Sequence, residues 1–378
     1  MSHLSTGPHG TSGQLSDVSP EHTPTQRQQR RRTIVLTVSG LLTLALTVLA
    51  LVLPAPYVVE SPGPVFNTLG KSSGKSVITV TGATSYPSTG QLDMLTVYVD
   101  GGPANQLSAI ALYQAWLNPD TALYPVDLIY PPDATADQIN QQSVADMVDS
   151  QDMARAAALT YLKIPFTQKL SVAQVGRGTG SDGKLKPGDV LTAVDGAPVT
   201  SRAVLTAALA KSKGATVAVE VLRSGQPVTL SIQPSFDSAS GRYLLGIGLK
   251  YDFTFPFTID FALSNVGGPS AGMMFALATI DKLTPDDLTG GKHVAGTGTI
   301  DADGNVGPIG GIVQKMIGAS KDGATLFLAP SSNCNEVVGH VPSGLKVMRV
   351  DTLSQAHDAV AAYGAGKDLS AFPSCTAS

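Results

Sequence analysis

The sequence has little charge, few histidines and no cluster of side chains that bind metals. Only 14% of its 378 residues are charged and the formal net charge is −4. This balance argues against a nucleic-acid partner, because such proteins usually present a strongly basic surface. None of the six histidines forms an H-E-x-x-H pair, and His3, His9 and His22 lie in the polar N-terminal region. The sequence therefore predicts no metal site.

A nucleotide-binding loop is also missing. Residues 70–76 read GKSSGKS, which approximates the phosphate-binding pattern G-x-x-x-x-G-K-[ST]. Leu69 stands where that pattern requires its first glycine, and 77–80 has the β-branched composition of a strand where the pattern requires a helix. We therefore expect no cofactor, and any activity should be independent of ATP.

The N-terminal region is typical of a membrane-anchored protein. Residues 1–32 are polar, with almost no large apolar side chains, so we expect a disordered tail. Residues 33–54 form an apolar segment long enough for a transmembrane helix, which needs about 20 residues, and Pro54 and Pro56 end it. A cleaved signal peptide is the alternative, although the apolar segment is long and no clear A-x-A cleavage site follows it.

The charge beside this segment predicts its orientation. A basic run, RQQRRR at 27–32, directly precedes the apolar residues. Such runs mark the cytoplasmic end of a membrane helix, so the N-terminus should be cytoplasmic and everything after residue 54 extracytoplasmic. Cys334 and Cys375 would then lie in an oxidising compartment. We expect a disulfide that ties the C-terminal tail to the last domain, with two unpaired thiols as the alternative.

The rest of the chain divides by composition into four parts. The first contains short strand-like runs and two helical patterns, at 107–117 and 134–162. The second has short strands, glycine-rich turns and one helix, and the third is again mixed helix and strand. The parts are 55–160, 161–235, 236–369 and a short polar tail, 370–378.

The second part contains a recognisable pattern. The stretch LKPGDVLTAVDGAPV at 185–199 predicts two strands with a tight turn at Asp195-Gly196, and Ser201 is a suitable cap for the helix that follows. This stretch resembles the PDZ domains of bacterial membrane and envelope proteases, over about 161–235. PDZ domains bind an extended peptide as an added strand beside a sheet edge.

The PDZ resemblance also implies where a peptide would bind. The groove would lie between a strand at 170–175 and the helix at 201–211, and the turn at 164–168 would receive a chain-end carboxylate. The alternative is a PDZ fold that serves only as a spacer or as an oligomer contact.

Ser270 stands out in the third part. Residues 267–272 read GGPSAG and precede an apolar helical run, so Ser270 should lie at a helix N-terminus. Flanking glycines allow a substrate backbone to approach closely, and unpaired N–H groups at a helix start can stabilise an oxyanion. Ser270 acting only as a helix cap is the alternative for this stretch alone.

Lys315 lies in a second glycine-rich stretch. Residues 307–317 read GPIGGIVQKMI, and Ile312, Lys315 and Met316 fall on one helical face. Lys315 should therefore point into an apolar interior, where burial lowers the pKa of an amine and allows it to act as a base near neutral pH. A lysine that extends to the surface is the alternative.

Taken together, these two stretches resemble the proteolytic domain of the Lon family. The matching motifs are GPSAG at 268–272 and PIGG at 308–311, followed by Lys315. In that family the serine and the lysine form a catalytic dyad, and a threonine in a Thr-Gly segment helps to orient the amine. Thr297 is the matching candidate here. One departure is Gly267, which occupies a position where Lon proteins usually carry an aspartate.

The resemblance implies a fold and a function. The expected fold class is α+β, a Lon-type proteolytic domain with an inserted PDZ domain, preceded by one transmembrane helix. This order of segments looks like that of the membrane-anchored, PDZ-containing Lon-like proteases of bacteria. The expected function is an ATP-independent serine endopeptidase that hydrolyses unfolded or PDZ-delivered polypeptides outside the cytoplasm.

In this hypothesis Ser270 attacks the peptide carbonyl and Lys315 acts as base and then acid. Thr297 orients the amine, and the N–H groups of Gly268 and Ser270 hold the oxyanion. A homo-oligomeric ring is implied by the resemblance. A membrane-anchored PDZ adaptor with a non-catalytic Lon-type domain is the rival, and a triad that uses His293 or His357 has no supporting motif.

Overall fold

The computed structural model describes residues 26–103, 105–238, 240–263 and 266–376, and describes no side chains at 50–52. Residues 1–25 of the predicted disordered tail therefore lie outside the described residues. Disorder of residues 26–32 is a wrong prediction, because the first helix begins at Gln26. Glutamine and arginine have good helix propensity, so a helix nucleated in the apolar segment extends into them.

In the described residues the helices are α1 (Gln26–Val52), α2 (Ala109–Leu117), α3 (Val126–Ile129), α4 (Ala136–Tyr161), α5 (Arg202–Ser212), α6 (Gly272–Leu283), α7 (Ile312–Asp322), α8 (Cys334–Val337) and α9 (Leu353–Gly364), with a 3₁₀ helix at Ser331–Asn333. The predicted helices at 107–117 and 134–162 are thus confirmed as α2 and α4.

The strands that precede α5 are β1 (Pro54–Ala55), β2 (Tyr57–Asn67), β3 (Lys71–Ser72), β4 (Lys75–Ser76), β5 (Ile78–Thr81), β6 (Gln91–Gly101), β7 (Leu107–Ser108), β8 (Ala122–Pro125), β9 (Thr167–Val175), β10 (Val190–Val194) and β11 (Ala197–Pro198). Those that follow it are β12 (Val217–Arg223), β13 (Gln226–Ile232), β14 (Ser235–Asp237), β15 (Arg242–Leu244), β16 (Ile247–Thr254), β17 (Thr258–Phe261), β18 (His293–Gly296), β19 (Thr299–Ile300), β20 (Val306–Gly307), β21 (Leu326–Pro330) and β22 (Lys346–Val350).

Helix α1 contains a stretch, Gln26–Leu49, that is long and apolar enough to cross a membrane, and none of its most apolar window is buried in the protein. A membrane anchor and an N-terminal signal sequence both have these properties. The GKSSGKS segment after β2 forms the small hairpin β3–β4, followed by strand β5 rather than by a helix.

The main sheet joins chain segments from both sides of the PDZ-like part. Its order is β22-β21-β18-β6-β2-β8, in which β22, β21, β18 and β6 are parallel and β6, β2 and β8 are antiparallel. The mixed architecture confirms the predicted α+β class. Strands β2, β6 and β8, which precede the PDZ-like part, and strands β18, β21 and β22, which follow it, therefore build one sheet, and the PDZ-like part is an insertion between them.

Two apolar cores lie on opposite faces of this sheet. Met94 of β6 packs with α6, and the next residue, Leu95, packs with α7, as the alternation of side chains along a strand requires. All but the last two residues of α6 are buried, which agrees with its apolar character on every side. Helices α6 and α7 lie on opposite faces of the sheet, but β18 ends at Gly296 and does not separate them further along. The start of α6 and the middle of α7 can therefore approach each other there.

The PDZ-like part has its own sheet, in the order β13-β12-β10-β9-β16. Ser201 caps α5 by accepting a hydrogen bond from the Val204 N–H, as predicted. Strand β16, which follows the predicted end of this part at 235, pairs along nearly the whole of β9, so the sheet also includes residues 247–254. β16 thus occupies one edge of the strand that was predicted to bind a peptide, and β10 pairs with its other edge at Leu170 and Ser171.

Cys334 and Cys375 form a disulfide, which joins the start of α8 to the C-terminal tail. Cys375 packs against the core beneath α7, and the Arg349 N–H donates to the carbonyl of Pro373. The bond therefore fixes the tail to the side of the main sheet that also supports Lys315.

Replacing both cysteines with serine should lower the free energy of unfolding of the surrounding domain by about 4 kcal/mol, since the bond closes a loop with a sequence separation of 41. The melting temperature of the full chain, with and without a reducing agent, measures this. The reducing agent should destabilise the wild type and leave the double-serine variant unchanged. Equal melting temperatures for all samples would contradict the prediction.

Candidate active site

The Ser270 loop is held between two segments that are distant in sequence. The Gly268 N–H donates to the Ser143 carbonyl at 2.9 Å, and the Ser150 hydroxyl donates to the Pro269 carbonyl at 3.0 Å. Both serines lie on α4, on the far side of the PDZ-like insertion in sequence. From the opposite side, the Gly298 N–H donates to the Ser270 carbonyl at 2.9 Å. Ser270 is thereby fixed one residue before the cap of α6.

The predicted oxyanion donors differ in availability. The Gly268 N–H is engaged by Ser143, so in this arrangement it cannot serve an oxyanion. In the described part of the chain the N–H groups of Ser270 and Ala271 donate no hydrogen bond. Both lie at the positive end of the α6 dipole, which favours negative charge.

Lys315 lies in the middle of α7 and is 3% exposed. Its amine donates to the Thr297 hydroxyl at 3.2 Å, and that hydroxyl donates to the Ser270 carbonyl at 3.1 Å. Thr297 therefore connects the lysine to the serine loop. Burial lowers the pKa of the Lys315 amine to about 8, against the opposing effect of the Glu60 carboxylate. Such an amine is largely available as a base in mildly alkaline solution.

Glu60 was not singled out by the sequence. It lies on β2 with 7% of its surface exposed, and among the described residues its Oε2 has no hydrogen-bond partner. A Cβ added at Gly311, the cap of α7, would lie 3.1 Å from this Oε2, so the carboxylate lies against the first turn of the helix that carries Lys315. Burial raises the pKa of Glu60, and the Lys315 charge opposes that rise.

Ser270 and Lys315 line the same cavity, whose volume is about 310 Å³. Its other walls are residues 94–99 of β6, Ser143 and Met147 of α4, and the loop at 266–267. The Ser270 hydroxyl and the Lys315 amine are not hydrogen-bonded to each other within the described residues. Catalytic hydrogen bonds are often completed only when a substrate binds, so this separation is compatible with a dyad.

Ser143 explains the departure at Gly267. A Cβ at Gly267 would lie 2.0 Å from the Ser143 Oγ, so a larger residue would fit only if the Ser143 side chain moved. The side chain of Ser143 thus occupies the space that an aspartate at 267 would need. Ser143 lines the cavity and could not be found from the sequence, because α4 is separated from the Ser270 loop by the whole PDZ-like part.

The histidines considered from the sequence lie elsewhere. His293 bonds to the buried Asp93, and the His357 Nδ1 is 2.9 Å from the Tyr161 hydroxyl. Neither lines the cavity of Ser270 and Lys315. Asp93, His293 and Asp322 do bring three potential metal ligands within 4.8 Å of one another, a grouping that the sequence analysis missed because the three come from separate elements.

The PDZ-like part contains a cavity of about 700 Å³ between α5, the end of β9 and the beginning of β16. Gln174 and Val175, at the end of the strand predicted to form the groove, are among its lining residues. Its lining includes Leu205 and Leu209 of α5, Leu249 of β16, and the basic residues Arg202 and Arg242. Among the described strands, β16 is the last of its sheet and has one unpaired edge, which lies beside this cavity.

Two family models match this chain, one over the PDZ-like part and one over the part that contains Ser270 and Lys315. Residues 264–362 match the model described as Lon protease (S16) C-terminal proteolytic domain, and residues 145–233 match the PDZ domain model.

Curated Lon proteases match this chain over a short stretch. Lon protease of Roseiflexus castenholzii is 43% identical over 70 residues, covering 18% of this chain and 8% of the relative. Lon protease of Campylobacter concisus is 38% identical over 91 residues, covering 23% and 11%. Lon protease 1 of Bacillus subtilis is 39% identical over 70 residues, covering 18% and 9%. The chain thus spans about a tenth of the length of these relatives.

Solved PDZ domains match about a fifth of this chain. The PDZ domain of an SdrC-like protein from Listeria monocytogenes is 22% identical, with a TM-score of 0.20, and covers 21% of this chain and 85% of that chain. The corresponding domain from Listeria innocua is 24% identical, with a TM-score of 0.20, and covers 21% and 92%. The family matches and the observed sheets agree: the chain contains a PDZ domain and a Lon-type proteolytic domain, and the latter family supports serine protease activity in general.

Proposed function

We propose that this protein is an ATP-independent serine endopeptidase, anchored to the membrane by α1, that uses Ser270 as nucleophile and Lys315 as base. The observation that carries the proposal is the buried Lys315 amine, which shares a cavity with Ser270 and is joined to its loop through Thr297. A buried lysine with a lowered pKa beside a serine at a helix start has no evident structural purpose, whereas acyl transfer requires both groups.

The reaction proceeds in two acyl-transfer steps. The Ser270 Oγ attacks the peptide carbonyl carbon while the neutral Lys315 amine accepts the hydroxyl proton. The resulting ammonium returns that proton to the leaving amine nitrogen as the C–N bond breaks, which leaves an ester on Ser270. Water then attacks the ester, Lys315 accepts the proton of the water, and the proton passes to Ser270 as the ester bond breaks.

Two groups support this chemistry without reacting. The Thr297 hydroxyl accepts a hydrogen bond from the amine and so holds it toward the serine loop. The free N–H groups of Ser270 and Ala271, at the start of α6, are suited to stabilise the oxyanion that forms at the carbonyl. Gly268, the other predicted donor, could contribute only if its bond to Ser143 opened.

An extended polypeptide is the substrate that the cavity fits best. Strand β6 pairs with β18 only as far as Met94, and none of the described strands pairs with residues 95–99 on that side. These residues line the cavity beside Ser270 and Lys315. A substrate strand can pair with this edge and bring a peptide bond to the serine, which only an unfolded segment can do.

The PDZ domain is proposed to deliver or select such segments. The free edge of β16 and the apolar cavity beside α5 suit a peptide that is added as a further strand. A location of both domains outside the cytoplasm is supported by two features. The start of α1 is basic, and the Cys334–Cys375 disulfide is of a kind that persists in oxidising compartments. The homo-oligomeric ring stays a prediction.

Replacing Ser270 with alanine is expected to reduce cleavage of an unfolded protein such as casein at least about 10³-fold, because the nucleophile is lost. The full chain, purified in detergent, is assayed without ATP, and a serine-reactive probe should label the wild type but not the variant. Ser235→Ala, at an exposed position of β14, is the matched control and should cleave at the wild-type rate.

Undiminished cleavage by the Ser270→Ala protein would refute the proposed nucleophile. If no variant and no wild-type sample cleaves, while a peptide binds the α5–β16 groove, the rival function of a membrane-anchored PDZ adaptor is supported instead.

A further inference from the structure

Helix α2 lies at the surface although eight of its nine residues are apolar or aromatic, Gln114 being the exception. It carries no charged residue, and none of its residues is buried. Trp116 is 70% exposed and Tyr113 is 60% exposed, and Ile110 and Leu117 lie on the same outward side. Helices at a water-exposed surface normally present a polar outer face, so the sequence of α2 does not suit contact with water.

The backbone fixes α2 at the end of α1. Strand β1, which begins two residues after α1 ends, pairs with β7, so that Pro54 lies opposite Ser108 and Ala55 opposite Leu107. Ser108 is the N-cap of α2. Helix α2 also contacts α1 directly. The first turn of α2 therefore lies beside the C-terminal end of α1.

A second exposed apolar group begins at the same place. The Val126 N–H at the start of α3 donates to the Pro56 carbonyl at 3.1 Å, and Tyr57 pairs with Pro125. Leu128 of α3 is 73% exposed. Two short helices with uncovered apolar side chains thus start beside the residues that directly follow α1.

We propose that α2, together with Leu128, lies in the surface of the bilayer that α1 crosses, so that the proteolytic domain rests on the membrane. This inference depends on the proposed role of α1 as a retained anchor. Tryptophan and tyrosine prefer the boundary between hydrocarbon and headgroups, and an apolar helix parallel to that boundary buries its outer face in it. A second copy of the chain could also cover such a face, but its position at the exit of α1 favours the lipid.

Trp116 provides a direct test, because it is the only tryptophan of the chain. The full-length Ser270→Ala protein is reconstituted into phosphatidylcholine vesicles in which part of the lipid carries bromine on the acyl chain. We expect Trp116 fluorescence to be shifted to shorter wavelength than in water, quenched severalfold by the brominated lipid, and protected from iodide in the aqueous phase.

Three results would overturn the proposal. Quenching by iodide and not by brominated lipid would show Trp116 in water. Protection from both quenchers would indicate that a second copy covers α2. Failure of the protein to remain with the vesicles would remove the anchor on which the inference depends. None of these readouts uses peptide cleavage. The proposed protease activity is tested separately, by measuring cleavage with the wild type in the same vesicles, so each proposal can fail without the other.

Discussion

Replacing Lys315 with methionine is expected to abolish cleavage and at the same time to stabilise the folded protein. Activity should fall at least about 10³-fold, because methionine can neither accept the serine proton nor return one to the leaving group. Stability should rise because Lys315 is 3% exposed and its pKa is lowered from 10.5 to about 8 by burial. Few substitutions in an interior are expected to have these opposite effects.

The size of the stabilisation follows from this pKa. The unfolded chain binds the lysine proton more tightly than the folded chain, so the folded state is penalised by about 3 kcal/mol at every pH below 8. The penalty decreases as the pH rises above 8 and disappears beyond the unfolded pKa of 10.5. Methionine has a similar length and no charge, so it should remove most of this penalty at pH 7.

Thermal unfolding of the full chain at pH 7 measures the effect. Lys321→Met is the matched control, because Lys321 lies on the same helix but is 61% exposed and pairs with Asp120 at the surface. It should leave both activity and melting temperature nearly unchanged. A Lys315→Met protein that melts at or below the wild-type temperature would contradict the burial argument, and one that still cleaves would contradict the proposed base.

The pH dependence of cleavage is the second large effect. Only the neutral amine can accept the serine proton, so kcat/KM should fall about tenfold for each pH unit below the Lys315 pKa of about 8. Half of the amine is neutral at pH 8 and about 1% at pH 6, so the loss between these values should be about fiftyfold. Cleavage of an unfolded substrate across this range, with the protein shown to stay folded by circular dichroism, provides the measurement. A flat profile would exclude Lys315 as the base.

Glu60→Gln should move this profile toward lower pH. The Glu60 carboxylate raises the pKa of Lys315, so its removal makes the amine easier to deprotonate. Glu220→Gln, on β12 of the PDZ sheet, is the control and should leave the profile in place. A midpoint that stays fixed or moves upward in the Glu60 variant would show that the carboxylate does not act on Lys315.

Local sequence was sufficient to predict where Ser270 and Lys315 lie on their helices. Small residues followed by an apolar run place Ser270 at the start of α6, and the spacing of Ile312 and Met316 directs Lys315 inward. Both depend on helical periodicity, which is a property of neighbouring residues. The pairing of the two stretches came from a family resemblance.

Contacts between distant segments could not be predicted in the same way. Glu60 and Ser143 reach the site from β2 and α4, and nothing in their own neighbourhoods indicates the partner. The residues of β16 do not indicate which sheet the strand joins, so its pairing with β9 was not predicted. The helical state of 26–32 was missed because composition alone does not account for propagation from the apolar segment.

The PDZ domain is joined to the proteolytic domain at both ends of its chain, not by one linker. Only residues 162–166 connect α4 to β9, and only 255–257 connect β16 to β17. Two such short tethers restrict how far the PDZ domain can move from the proteolytic domain, so a peptide bound to β16, as proposed above, would stay near Ser270. The flanking residues of that peptide then experience a high effective concentration at the cavity, while segments too short to span the gap gain nothing from binding.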